Sequence, residues 1–216
     1  YNTHYASDSF TRIYFTCPEQ NFYYFTNSMK ELGYLGASKK ITNGTFYING
    51  YRGLWQDGKN IVLINSTANT GENEISVVMD IVPCAAATSD DPLKDIFPVF
   101  KGYSTGSEYR GYDAGETLLE DEYTNSFPPY WFWQHRFSNS FVGVSYEEFE
   151  AYREALEKRG FSGVIKASTV DGCNMLSMDV TKTADDETHA VLLLFNQTLK
   201  TLDIVYTNNP DLFMSN

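Results

Sequence analysis

Residues 19–34 read EQNFYYFTNSMKELGY and residues 146–161 read YEEFEAYREALEKRGF. Laid side by side, Phe22, Phe25, Met29, Gly33 and Tyr34 fall on Phe149, Tyr152, Leu156, Gly160 and Phe161 at one constant offset. The first three of each set recur at i, i+3 and i+7, which is one face of an α-helix. A glycine just past the last apolar position fits a left-handed C-terminal cap. The spacing predicts helices near 18–32 and 146–159, each covering a sheet with its apolar face.

The flanks repeat in type. Thr16-Cys17-Pro18-Glu19 and Ser145-Tyr146-Glu147-Glu148 both read as capping boxes, and Val144 with Phe149 occupies the positions of a hydrophobic staple. A short strand precedes each helix, at 11–15 and 141–144. A hairpin signal follows each one. Asn43-Gly44 and Asp171-Gly172 are dipeptides that favour a two-residue turn between antiparallel strands. Further strands are read at 61–64 and 74–82 in the first copy, and at 190–195 and 201–206 in the second. One helix on an antiparallel sheet is an α+β layer. The expected fold is therefore α+β, with two pseudo-repeated modules, each a short strand, one amphipathic helix and an antiparallel sheet.

This divides the chain into an N-terminal extension (1–10), a first module (11–84), a connecting segment (85–135), a second module (136–207) and a C-terminal tail (208–216). The connecting segment is rich in Tyr, Gly and Trp and belongs to neither copy. It closes on Phe127-Pro128-Pro129-Tyr130-Trp131-Phe132-Trp133. Tyr130, Trp131 and Trp133 read either as a stacking platform for a sugar or protein partner, or as an apolar seam joining the modules. In the extension, Tyr1, Thr3 and Tyr5 alternate as in a strand with one aromatic face. Such a strand could add to the open sheet edge of a neighbouring molecule, or it frays or pairs within its own chain.

Composition excludes several function classes. With 28 acidic against 16 basic residues the net charge is −12. Nucleic-acid binding rests on Lys and Arg neutralising phosphates, so no nucleic-acid partner is expected. No apolar run approaches the ~20 residues of a membrane-spanning helix. The 16 Tyr and 15 Phe supply an ample core and leave aromatics for the surface.

No motif names a chemistry. His4, His135 and His189 lack metal-ligand spacing, and no nucleophile elbow, phosphate-binding loop or calcium loop occurs. No catalytic residue, metal or cofactor is assigned. Three cysteines are too few for a disulfide scaffold. Cys17 follows the first strand and Cys84 the last strand of one module. If those strands run parallel, the two would bridge, closing a loop worth about 4 kcal/mol. Cys173 is expected to be a buried thiol outside that bridge. Asn43, Asn65 and Asn196 begin N-x-S/T sequons at predicted turns, where a glycan fits. These sequons, together with a chain starting at Tyr1 as after removal of a signal peptide, point outside the cell.

The expectation is a soluble, non-enzymatic extracellular structural or adhesive subunit that self-assembles into oligomers or fibres. One alternative is a secreted or periplasmic carbohydrate- or peptide-binding module using the Tyr/Trp segment. Another is a hydrolase working through a pair of carboxylates.

Overall fold

The computed structural model describes residues 3–6, 11–43, 48–68, 73–86, 94–104, 138–170, 173–184 and 187–207. The chain divides into two compact units, Tyr1–Cys84 and Ala85–Asn216. Among the described residues both are antiparallel sheets carrying one helix, an α+β architecture dominated by strands. No helix among the described residues is long and apolar enough to cross a membrane.

The first unit runs β1 (Thr3–Ala6), β2 (Thr11–Pro18), α1 (Glu19–Glu31), β3 (Leu35–Asn43), β4 (Ile48–Gln56), β5 (Asn60–Ala68) and β6 (Glu74–Pro83). Its six strands lie in the order β1-β2-β6-β5-β4-β3. Alternation sends Phe15, Cys17, Ile75 and Val77 to the helix side, where they meet Phe22, Phe25 and Met29 of α1. Trp55 is fully buried there, donating from Nε1 to Ser38 Oγ at 3.0 Å. Its ring lies across Gly36, where a Cβ would sit 2.5 Å from the indole. Leu54, Leu63 and Asp80 alternate to the opposite face and are buried as well.

The second unit runs β7 (Ala85–Ala86), β8 (Tyr103–Ser104), β9 (Ser138–Val142), α2 (Tyr146–Lys158), β10 (Ser162–Val170), β11 (Cys173–Ala184), β12 (Glu187–Asn196) and β13 (Thr201–Thr207). Its order is β10-β11-β12-β13-β9-β8-β7. Phe149, Tyr152 and Leu156 of α2 pack onto Met178, Val180, Val191, Leu193 and Phe195. Phe149 stacks on Phe195 with centroids 4.9 Å apart. Each such fully buried side chain stabilises the unit by ~1.5–3 kcal/mol.

Both helices end alike. Gly33 and Gly160 each have φ +88°. Gly33 N–H donates to Lys30 O and Tyr34 N–H to Met29 O; Gly160 N–H donates to Glu157 O and Phe161 N–H to Leu156 O. These are the paired bonds of a Schellman cap, closed by apolar contact between the flanking residues. The helix starts differ. Ser145 and Glu148 form a reciprocal capping box. Thr16 does not: β2 extends to Pro18, so Thr16 sits in the β-ladder opposite Ser76, and Pro18 takes the N-cap position with no side-chain bond.

Three further expectations are corrected. Asn43 pairs with Ile48, whereas a two-residue turn on Asn43-Gly44 would have paired Thr42 with Thr45. In β10–β11, by contrast, Val170 pairs with Cys173 across Asp171-Gly172 as expected. Of the readings open for the extension, pairing within its own chain is the one seen: Thr3–Ala6 lies along β2, with Tyr5 opposite Arg12. The connecting segment contributes to the second unit: β7 and β8 extend its sheet, and Phe97 and Phe100 enter its core. Finally, β2 and β6 are neighbours but antiparallel, with Cys17 opposite Ile75. Cys84 therefore lies roughly 30 Å further along, at ~3.3 Å per residue. The proposed bridge is absent, and Cys17 and Cys84 are free thiols.

Candidate functional site

Four strands form the outer edges of the two sheets. An outer edge presents unpaired N–H and C=O groups, and proteins blunt it with short length, charge or cover. β1 has four residues and β7 two. β3 has nine but carries Lys39-Lys40 at its centre. Lys40 Nζ is tied back to Glu19 Oε1 at the start of α1, 2.6 Å away.

β10 differs from the other three. It begins directly after the α2 cap, where buried Phe161 anchors the chain. It pairs with β11 in unbroken register from Ser162↔Thr181 to Val170↔Cys173. Among its described side chains only Ile165 packs towards the core. Ser162, Gly163, Val164, Lys166, Ala167, Ser168 and Thr169 are exposed, Val164 to 74%. The strand has no proline, no bulge and one charge, and no further strand joins it among the described residues. It is a long, flat, small-residue edge able to accept another strand through its backbone.

A second constellation lies where α1 meets the first sheet. Tyr51 O–H donates to Glu19 Oε1 at 2.7 Å, and the Tyr23 and Tyr51 hydroxyls are 2.8 Å apart. The Tyr51 ring stacks on Phe22, centroids 4.5 Å apart, and Lys40 Nζ lies 5.7 Å from its centre. The hydrogen bond from Lys40, then that from Tyr51, holds the Glu19 carboxyl below its ordinary range. Burial, then the bonds to Tyr23 and Glu19, pushes the Tyr51 phenol up. Neither group is poised to trade a proton near neutral pH, so the cluster serves to pin the helix start in place of the missing side-chain cap.

Comparison with protein-family models, with curated proteins and with solved structures found no match.

Tyr130, Trp131 and Trp133 lie outside the described residues. Asn43 ends β3, and the rest of its sequon lies outside them too. Asn65 is exposed but sits within β5, opposite Arg52 and Val78, not in a turn. Its neighbour Ser66 is buried and accepts the Tyr51 backbone N–H at 2.7 Å. Asn196 stands at the β12–β13 turn, 5% exposed, and its Oδ1 accepts from Thr198 N at 3.1 Å and Leu199 N at 2.9 Å. That buried amide shapes the turn. Among the described residues no three His, Cys, Asp or Glu side chains gather as a metal ion requires. Several acids are engaged structurally: Asp80 with Arg12, Glu19 with Lys40, and Glu150 and Glu157 with Arg153.

Sequence reading passed over the β10 edge because nothing in SGVIKASTV is chemically unusual. The usable signal was contrast. β12, ETHAVLLLFN, is a near-continuous apolar run of a central strand, whereas β10 has one core-facing apolar residue, as an edge does.

Proposed function

We propose that this chain is a non-enzymatic extracellular structural or adhesive subunit, built from two copies of one module, that self-associates by strand addition. The observation that carries the self-association is the unblunted nine-residue edge of β10. Three parallels favour duplication. The order first strand, last strand and then back through the meander recurs as β2-β6-β5-β4-β3 and β9-β13-β12-β11-β10. Both helices end in the same cap with the same glycine φ. Leu63↔Asp80 and Leu194↔Asp203 set a leucine against a buried aspartate at the corresponding place of each sheet. The extracellular part of the reading rests on the exposed Asn65 sequon and the Tyr-rich surface. Mass photometry of native material over a concentration series, with intact mass for glycans, tests it. Oligomers that grow with concentration are expected, and a monomer throughout would sink the reading.

A second reading, a carbohydrate- or peptide-binding module, is favoured by one observation. Tyr24 of α1 and Leu32 at its C-cap are 71% and 74% exposed, apolar surface that a ligand could cover. Saturable heat on titration with oligosaccharides or peptides, lost in Tyr24→Ala, would support it.

A further inference from the structure

We propose that the β10 edge takes the β10 strand of a second copy of this chain, antiparallel about a two-fold axis at Ala167. This rests on the self-association proposed above and names its partner and register. A two-residue turn closes on a mutually hydrogen-bonded pair, here Val170 and Cys173, and bonded pairs then alternate along an antiparallel ladder. Even-numbered residues of β10 thus direct their N–H and C=O groups to β11. Gly163, Ile165, Ala167 and Thr169 aim theirs outward.

Two copies can satisfy each other only in registers that set odd residues against odd. Centring on Lys166 would oppose two ammonium groups directly, which is unfavourable. Centring on Ile165 sets Ile165 against itself once, but Gly163 against Ala167 and Val164 against the charged Lys166 twice each. Centring on Ala167 sets Ile165 against Thr169, twice by symmetry. That is a β-branched cross-strand pair of the kind that stabilises a ladder. Lys166 then faces the neutral Ser168. The strand contains no acidic residue, so this is a stretch where a chain of net charge −12 can approach its own copy. Val164, the most exposed apolar residue of the strand, gains cover. The contact is isologous and closes at two, joining two seven-stranded sheets into one.

The test uses the full chain and sedimentation equilibrium. Ser168 is exposed, so its replacement leaves the fold intact, which far-UV circular dichroism checks. Ser168→Lys sets two Lys–Lys pairs across the axis and should weaken the dimer roughly tenfold. Ser168→Glu sets two Lys–Glu pairs and should tighten it by roughly three- to tenfold. Ala167→Cys places two thiols on the axis at a Cα separation of about 5.5 Å, within disulfide range, and should give a reducible dimer on mild oxidation faster than the parent chain. Oligomers that respond to none of these changes would overturn the β10 register and leave self-association standing. A parent chain that stays monomeric up to about 1 mM, well past the weak micromolar range, would overturn both.

Discussion

Arg12 and Asp80 meet as a two-pronged pair across β2 and β6, with N···O distances of 2.6 and 2.7 Å. Asp80 is buried, and Arg12 is raised further into its charged range, chiefly by that hydrogen bond. Removing the guanidinium strands a buried carboxylate, which costs more than the intact pair contributes. Arg12→Ala should lower stability by about 2–4 kcal/mol in urea unfolding. The double change Arg12→Met with Asp80→Leu should recover most of it, since an apolar pair of similar size leaves no charge behind. Glu19 gives a pH signature. Its folded pKa lies below the ordinary value of about 4.3. A depressed carboxylate contributes stability above that value and loses it as pH falls through the folded pKa. Glu19→Gln should therefore flatten the acid side of the stability curve below about pH 4.3, and by a small amount because the pair is largely exposed. Both partnerships join residues distant in sequence, Arg12 with Asp80 and Glu19 with Tyr51. No local pattern announced them.

Caps were legible where the bonding is local. At α2 the residues that bond each other, Ser145 with Glu148 and Phe161 with Leu156, stand three and five apart, so the motif is visible in the string. At α1 the same Thr-x-x-Glu string failed, because β6 draws Thr16 into its ladder from sixty residues away. The difference predicts unequal mutational effects. Ser145→Ala should cost about 1 kcal/mol and Thr16→Ala no cap energy at all. Gly33→Ala and Gly160→Ala should each cost about 1 kcal/mol, because both hold φ +88° and a Cβ at Gly33 meets nothing within 4 Å. Thermal unfolding of the four single variants measures all of this. The Asn43-Gly44 string misled for a related reason. The pairing Asn43↔Ile48 continues a nine-residue register with β4 that begins at Leu35↔Gln56, and a dipeptide preference does not outweigh it.

Element order along the chain could be read, since helix faces and strand runs are short-range signals. Which strands lie side by side could not. The parallel placement of first and last strands was the one assumption behind a Cys17–Cys84 bridge, and the antiparallel ladder removes it. The purified chain should keep one intact mass with and without reductant. Native alkylation should modify Cys84 slowly, since burial pushes that thiol up to about 12. Rapid labelling of Cys84, or a two-dalton shift on reduction, would contradict the topology. The two chief candidate sites fared unequally for the same reason: an edge is a property of sheet order, and sheet order is nonlocal. That order has a further consequence. Thr11 and Ile81 are ladder partners, as are Ser138 and Val205, so in each unit the strand that leads into the helix and the last strand of the meander open at one spot, about 5 Å apart. The stretch between those two ends can be circularly permuted, the ends joined by a short linker and new ones opened in a hairpin turn, with the ladders between those strands kept.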